Sequence, residues 1–234
     1  MDFDKQIKSI FEQKNINLTQ LQIKQFEEYF NLLVEWNEKI NLTTIIEQEQ
    51  VIIKHFLDSC LGKKYINDNC TLLDIGAGAG FPSIPLKILF PNLQVVMIDS
   101  VNKKINFLNS VIDALHLTNC KAIHTRAEDL AKKSGFRESF DYVVSRAVAS
   151  LNTLLEYSLP FVKVGGRFVA YKATNCEQEI ENSQNALNVL GGKIIEVDKQ
   201  NLFDSERSYV IVQKIKSTPN KYPRSQNKPR INPL

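Results

Sequence analysis

Residues 72–81 have the sequence LLDIGAGAGF, and this stretch decides the fold. Its first residues, Leu72, Leu73 and Ile75, predict a short buried strand. The glycines that follow carry no Cβ, so they permit a sharp turn and a close approach of the backbone to a ligand. Pro82 is tolerated in the first turn of a helix. The pattern therefore predicts a strand, a glycine loop and a helix, with a nucleotide-like cofactor over the loop.

The spacing of the glycines indicates which cofactor this is. A dinucleotide fingerprint that begins at Gly76 needs its last glycine at position 81, which is Phe81. After Gly78, the third glycine, Gly80, comes one residue early. Asp74 precedes the loop, where a carboxylate repels a pyrophosphate but not a ligand that carries an ammonium or sulfonium group.

A second acidic residue supports the same interpretation. Residues 95–98 predict another strand, and Asp99 follows it, 23 residues after Gly76. This is near the spacing of a carboxylate that binds ribose hydroxyls. The loop, Asp74 and Asp99 together fit S-adenosylmethionine, which has a ribose, an adenine and a positive sulfur but no phosphate. Taken alone, the loop is also compatible with a turn that only connects a strand to a helix.

The composition is ordinary for a soluble globular protein, with 43% hydrophobic and 24% charged residues among 234. No apolar run approaches the length of a membrane span. The N-terminus carries Asp2, Asp4 and Glu12 where a signal peptide has an apolar core. We therefore expect a cytoplasmic protein without a membrane partner. The four cysteines are scattered and form no C-x-x-C pair, so no metal site is expected.

The net charge of +3 is unevenly distributed. Residues 1–60 hold 6 basic and 10 acidic side chains, whereas residues 214–234 hold 6 basic and no acidic ones. This asymmetry predicts a polyanionic partner near the C-terminus. A solvated, disordered terminus is the alternative explanation.

Three regions are predicted along the chain: a helical region over 1–60, a Rossmann-like domain over 61–216, and a basic, proline-containing tail over 217–234. In the first, Thr19 and Gln22 form a capping-box pattern. An apolar stripe at helical spacing follows it, formed by Phe26, Tyr29, Phe30, Leu33 and Ile40. The tail cannot build a core alone, so we expect an extended segment or a strap over the domain.

The middle region alternates strands and helices, which predicts an α/β fold with a mostly parallel sheet and helices on both faces. Helical patterns fill the gaps between strands, as at 103–114 and 151–159. The predicted strands are 70–75, 94–98, 120–124, 140–144, 166–171, 193–198 and 208–214.

Several short motifs follow one another in a recognisable order. They are Asn41-Leu42-Thr43, His55-Phe56-Leu57-Asp58-Ser59, Gly80-Phe81-Pro82, Asp99-Ser100, Arg126-Ala127-Glu128, Ser145-Arg146-Ala147-Val148-Ala149 and Lys221-Tyr222-Pro223-Arg224. Over nearly its whole length the chain resembles the bacterial 16S ribosomal RNA guanine-N7 methyltransferase G family, formerly called glucose-inhibited division protein B. The resemblance implies a class I S-adenosylmethionine-dependent methyltransferase with a Rossmann-like, seven-stranded sheet and an N-terminal helical appendage. It also implies 16S RNA of the small ribosomal subunit as substrate.

The resemblance assigns cofactor contacts to Gly76, Phe81, Ala127, Glu128 and Arg146. The residues around the loop and the second strand add the candidates Asp74, Gly78, Asp99 and Ser100. Glu128 suits the adenine amino group, although an acid there also suits the cap of a helix. One departure from the family pattern is Tyr171-Lys172-Ala173, where relatives often have an apolar residue, Lys and Gly.

The sequence lacks two devices of other nucleic-acid methyltransferases. Residues 145–148 do not form the Asn/Asp-Pro-Pro-aromatic loop of amino-group methyltransferases, and no cysteine follows a proline. A ring nitrogen or a ribose hydroxyl therefore remains as the target. Guanine N7 has a free lone pair, so positioning and desolvation suffice for its methylation.

Arg146 follows the predicted fourth strand, at the edge of the sheet where ligands bind. We expect it to order the cofactor pocket and to meet the guanine, whose O6 and N7 accept hydrogen bonds from arginine. Arg126 is a candidate for RNA phosphate or for holding its loop. The other catalytic candidates are polar residues near predicted element ends, namely Asn41, His55, Arg207 and Lys172. For His55 a packing role is the alternative, and for Lys172 a ribose-methylating site.

Three other functions remain possible from sequence: a nicotinamide-dependent oxidoreductase on a similar fold, a non-catalytic RNA-binding or ribosome assembly factor, and methyl transfer to a small molecule, which the basic tail disfavours. Phe81 in place of the spaced glycine disfavours the first. The intact loop, Asp99 and Arg146 disfavour the second. Because RNA must reach the cofactor, we expect a monomer.

Overall fold

The computed structural model describes residues 2–173 and 176–234. In these ranges one seven-stranded sheet has the order β3-β2-β1-β4-β5-β7-β6. Strands β1 to β5 are parallel, and β7 is antiparallel to both neighbours, so the predicted mostly parallel sheet is confirmed. The strands are β1 (Thr71–Ile75), β2 (Gln94–Asp99), β3 (Cys120–His124), β4 (Phe140–Arg146), β5 (Val162–Ala173), β6 (Gly192–Leu202) and β7 (Ser205–Lys214).

Helices cover both faces of the sheet. Because side chains alternate along a strand, Leu72 and Leu73 belong to two different hydrophobic cores. A π-helical turn (Ile52–Leu57) links α3 to α4. The helices are α1 (Phe3–Glu12), α2 (Gln20–Asn37), α3 (Gln48–Val51), α4 (Asp58–Leu61), α5 (Ser83–Leu89), α6 (Asn102–Ala114), α7 (Ala127–Leu130), α8 (Leu151–Ser158), α9 (Glu177–Glu181), α10 (Gln184–Leu190) and α11 (Lys228–Ile231). Within the described ranges, none of them is long and apolar enough to span a membrane.

The predicted capping box begins α2. The Gln22 amide donates to Thr19 Oγ1 (3.3 Å), and the Thr19 amide donates to Gln22 Oε1 (2.9 Å). Two orphan donors of the first helical turn are thereby satisfied. The helix ends at Asn37, so Ile40, which the apolar stripe includes, lies beyond it. The buried residues of the helix are Ile23, Phe26, Tyr29 and Leu33.

Helix α2 packs directly on the glycine loop between β1 and α5. The fully buried Tyr29 donates its hydroxyl hydrogen bond to the carbonyl of Ala79 in that loop. Its ring lies against Phe56 (5.2 Å between centroids) and Phe81 (5.5 Å). The N-terminal helices and the loop therefore share one core, and the loop conformation depends on the helices.

Residues 217–234 run along the domain as a strap, one of the two arrangements expected from sequence. Arg224 pairs with the fully buried carboxylate of Glu156 on α8, with Nη2–Oε2 at 2.7 Å and Nε–Oε1 at 2.9 Å. The Arg224 amide also donates to Glu156 Oε1 (2.7 Å). Nearer the start of the strap, Arg137 donates to the carbonyls of Thr218 (2.7 Å) and Tyr222 (2.8 Å).

Replacing Arg224 by alanine should destabilise the protein strongly, because Glu156 would be left buried without its cation. We expect Arg224→Ala to lower the free energy of unfolding by about 3 kcal/mol, as loss of one partner of a buried pair does. As a control, Lys228→Ala removes one positive charge from an exposed residue of the strap. It should change the free energy of unfolding by less than about 0.5 kcal/mol. Urea unfolding measures both; equal stabilities for the two variants would contradict a stabilising role for the pair.

Candidate functional site

Two cavities open at the carboxyl edge of the sheet, where β1 and β4 lie side by side and the strand order reverses. The first has a volume of about 410 Å³ and lies beside the ends of β1, β2 and β4. Five of the predicted cofactor-binding residues line it: Gly76, Asp99, Ser100, Ala127 and Glu128. The first cavity is therefore the candidate cofactor site.

Two glycines of the loop are required by close packing as well as by backbone conformation. Gly76 (φ +72°) and Gly80 (φ +93°) adopt the left-handed region, which side chains with a Cβ rarely occupy. A Cβ on Gly76 would lie 2.6 Å from Val148 Cγ2, and one on Gly80 would lie 2.6 Å from Ile84 Cδ1. Gly76 borders the cavity, whereas the space at Gly80 is filled by protein.

The backbone amides of the loop are engaged within the protein. The amides of Gly76 and Ala77 both donate to the carbonyl of Ile98 (2.9 and 3.0 Å). Those of Gly80 and Phe81 donate back to the carbonyl of Ala77 (2.7 and 3.2 Å). Binding of a pyrophosphate by a glycine loop depends on free amide donors. These four amides are therefore unavailable for such a ligand.

The carboxylate of Asp99 is fixed at the end of β2. Its Oδ2 accepts from the Gly78 amide (3.0 Å) and its Oδ1 accepts from the Val101 amide (2.9 Å). An ionised carboxylate has about four acceptor positions, so both oxygens retain capacity for hydroxyl donors in the cavity. Gly78 itself does not line the cavity; its amide positions Asp99.

Asp74 lies beneath the loop and does not border either cavity. Its Oδ2 accepts from the Ser83 amide (3.4 Å), while Oδ1 has no hydrogen-bond partner among the described residues. Burial raises the pKa of this carboxyl from 3.8 to about 7, although Ser83 and Arg146 oppose the increase. Any effect of Asp74 on a cofactor is therefore exerted through the loop and its charge.

The raised pKa of Asp74 predicts a pH-dependent contribution to stability. Between its ordinary pKa and about 7 the folded state binds more protons than the unfolded state, so stability falls as pH rises. Relative to Asp74→Asn, the wild-type free energy of unfolding should therefore decrease from pH 4 to pH 7, by at most about 1.4 kcal/mol per unit. Urea titrations across this range measure the difference, with exposed Asp113→Asn as control. A difference that is constant with pH would refute the assignment.

The second cavity, of about 470 Å³, lies on the other side of the end of β4. Ala147 lines both cavities, so the two meet directly after Arg146. Lys54 and Asp58 contribute further charged groups to its wall. Four of the six predicted catalytic residues line this cavity: His55, Arg146, Lys172 and Arg207.

Asp58 organises the cations of the second cavity. Its Oδ2 pairs with Arg146 Nη1 at 2.9 Å, and its Oδ1 lies 3.4 Å from Arg207 Nε. The Asp58 side chain is only 5% exposed, so both ion pairs are shielded from water. Sequence reasoning missed Asp58 as a site residue. The sequence signal for its role was that Asp58 lies three residues after His55, because residues i and i+3 share a helix face.

Arg146 and His55 both lie on the ring of Phe81. The guanidinium carbon is 4.9 Å from the ring centroid, and the imidazole stacks at 4.6 Å. Arg146 Nη1 also donates to the carbonyl of Lys54 in the π-helical turn (3.3 Å). Phe81, which the resemblance assigns to the cofactor, is buried beneath these two residues and does not line the first cavity.

His55 is held as a neutral ring. Burial and the nearby Arg146 charge lower its pKa from 6.5 to about 3. Its Nε2 lies 2.8 Å from Thr43 Oγ1. At neutral pH this imidazole offers packing and hydrogen bonding, without a positive charge.

The other two catalytic candidates lie outside the second cavity, and Arg146 lines one cavity only. Asn41 is exposed and lines neither cavity; it borders a surface depression that shares Val101 and Lys104 with the first cavity. Arg126 lines the first cavity and not the second. Arg146, predicted for both roles, lines only the second. Lys172 does join the second cavity, where it pairs with Glu179 (2.6 Å).

Solved structures with the same fold include an AdoMet complex and a methyltransferase. TYW2 of M. jannaschii, solved in complex with AdoMet, has a TM-score of 0.53 at 18% identity, covering 68% of this chain and 77% of that one. A precorrin-6y C5,15-methyltransferase from Geobacter metallireducens has a TM-score of 0.52 at 15% identity, covering 77% and 96%. The fold is that of the class I S-adenosylmethionine-dependent methyltransferases.

Sequence similarity identifies the family within that class. The GidB family, described as rRNA small subunit methyltransferase G, matches residues 22–207, and the chain belongs to it. The ribosomal RNA small subunit methyltransferase G of Alkaliphilus metalliredigens is 48% identical over 217 residues, which is 91% of each chain. That of Bacillus cereus is 48% identical over 233 residues, which is 98% of each.

Proposed function

We propose that this protein transfers a methyl group from S-adenosylmethionine to N7 of a guanine in the 16S RNA of the small ribosomal subunit. The observation that carries the proposal is the meeting of two chemically different cavities at Ala147. The first is lined by the carboxylates of Asp99 and Glu128, and the second holds the guanidinium of Arg146 in a fixed orientation. Membership of the family supplies the substrate class.

The first cavity fits S-adenosylmethionine and disfavours a dinucleotide. Asp99 provides acceptors for ribose hydroxyls, and the nearly buried Glu128 provides one for the adenine amino group. Ile98 and Val148 supply apolar surface for the flat base. The engaged loop amides leave no cradle for the phosphates of a nicotinamide cofactor. When bound, S-adenosylmethionine supplies an electrophilic methyl group.

The second cavity fits a guanine. The edge that carries N7 and O6 accepts hydrogen bonds, and Arg146 is a donor whose orientation Asp58 and Phe81 fix. The S–CH₃ bond breaks as the N7–CH₃ bond forms, and no proton leaves the base. The neutral ring of His55 agrees with a reaction that needs no proton transfer. Catalysis then rests on alignment of the reacting atoms and exclusion of water.

Arg207 and Lys172 are proposed to contact the RNA around the target base. Both line the second cavity, and both are paired with acids there. Arginine and lysine supply most phosphate contacts in nucleic-acid complexes. We also propose that the protein acts in the cytoplasm as a monomer, because the RNA must enter a site that opens at one edge of the sheet.

Methyl transfer to isolated small subunits tests the function directly. Subunits from cells that lack this protein should gain one 7-methylguanosine per 16S RNA when incubated with the protein and methyl-labelled S-adenosylmethionine. Mapping by mass spectrometry locates it. Absence of transfer would favour a non-catalytic assembly factor. Thermal stabilisation by NAD and not by S-adenosylhomocysteine would favour an oxidoreductase, because a ligand of the native state raises apparent stability.

Arg146→Ala should reduce kcat/KM for methyl transfer about 100-fold, because loss of a positioning contact misaligns the reacting atoms. Arg167→Ala is the matched control: it removes an arginine of β5 that lines neither cavity. Initial rates with saturating S-adenosylmethionine and varied subunit concentration measure both variants. Equal rates for Arg146→Ala and the wild type would remove Arg146 from the site.

A further inference from the structure

The C-terminal strap supplies part of the wall of the first cavity. Asn227 and Arg230 line it together with Tyr157 and Glu128, and the Tyr157 hydroxyl contacts Asn227. We propose that Arg230 contacts the cofactor and that residues 225–231 close the adenosine end of its site. The inference rests on the proposed function, which places S-adenosylmethionine in this cavity.

The strap is held against one face of α8. Thr153, Glu156 and Tyr157 are spaced i, i+3 and i+4, so they lie on the same side of that helix. Thr153 Oγ1 donates to the carbonyl of Pro229 (3.0 Å), in a buried position. Glu156 carries the Arg224 pair described above, and Tyr157 donates its hydroxyl hydrogen bond to Asn227 Oδ1 (3.3 Å). Three consecutive contacts thus fix the path of the strap to the cavity.

Arg230 lies directly beside the end of β4. Its Nη2 donates to the carbonyl of Val148 (2.8 Å), two residues after Arg146. A guanidinium has five N–H donors, so this bond leaves others for a ligand. The side chain is otherwise exposed, and it forms no ion pair with a carboxylate of the described residues. Its donors are therefore available at the cavity wall.

The groups at this end of the cavity match the edge of an adenine. Glu128 offers an acceptor for the amino group, and Arg230 offers donors for a ring nitrogen. Tyr157 lines the same cavity, and its hydroxyl pKa is raised chiefly by burial, with Glu128 adding to the increase and Arg230 opposing it.

The basic composition of the strap predicts attraction of RNA. The position of Arg230 adds a second role for this charge, which is contact with the cofactor. Lys228 and Arg230 belong to the same short helix, and both are exposed, but only Arg230 borders the cavity. A comparison of variants at these two residues therefore distinguishes a specific cofactor contact from a general effect of positive charge.

Calorimetric titration of full-length variants with two ligands tests the proposal. The ligands are S-adenosylhomocysteine and 5′-methylthioadenosine, which keeps the adenosine but lacks the amino-acid end. Arg230→Ala should weaken both by the same factor, about threefold to tenfold, as loss of one hydrogen bond does. Lys228→Ala should bind both like the wild type. Arg230→Lys should recover part of the affinity, because it keeps the charge without the planar fork.

The contrary outcomes are distinct. If the wild type binds neither ligand, the proposed function fails and the inference fails with it. If the wild type binds both and Arg230→Ala binds them equally well, only the inference fails. Weakening confined to S-adenosylhomocysteine would place Arg230 at the amino-acid end and overturn the adenosine assignment. Reduced RNA affinity with unchanged ligand affinity would assign the strap to RNA.

Hydrogen exchange on the wild type provides a second measurement that does not depend on the folding of any variant. Saturation with 5′-methylthioadenosine should slow amide exchange in residues 225–231 more than in 217–223, because only the former border the cavity. Equal protection of the two stretches would overturn the proposal.

Discussion

The carbonyl of Ile98 is the contact on which the site depends most, because it receives the amides of both Gly76 and Ala77. That double acceptance ties the start of the glycine loop to the end of β2, and the Gly78 amide ties it to Asp99 in the next position. Tyr29 fixes the opposite side of the loop from α2. The loop is therefore held by the protein before any ligand arrives. Such preorganisation reduces the conformational entropy that the loop must lose when a ligand binds, and it favours ligands that do not need the amides.

The second constraint is electrostatic. Four cationic side chains line a single cavity, and two of them share the carboxylate of Asp58. Without this acid, like charges in a shielded space would repel one another and the guanidinium of Arg146 would lose its fixed direction. The ring of Phe81 supports the same guanidinium from below. The cavity thus keeps its hydrogen-bond donors in fixed positions.

The sequence allowed prediction of the features that local patterns encode. Alternating apolar runs and glycine turns located the strands, and Thr19 with Gln22 located the start of α2. The glycine spacing and Asp99 indicated S-adenosylmethionine as the cofactor. Local patterns could not predict contacts between residues that are far apart in the chain. Arg224 and Glu156 are 68 positions apart, and nothing near either residue indicates the pair. Likewise, only packing shows that Phe81 supports Arg146 and that Asn41 lies outside both cavities.

Ala147 is the residue that both cavities share, and it adopts a left-handed backbone conformation (φ +58°) that alanine rarely occupies. Its peptide separates the two cavities. A ligand that displaces this peptide from one side alters the shape of the other side, and the resulting change in affinity must be equal in both directions. The proposed cofactor and RNA sites would then share one coupling free energy, carried by a single turn of backbone.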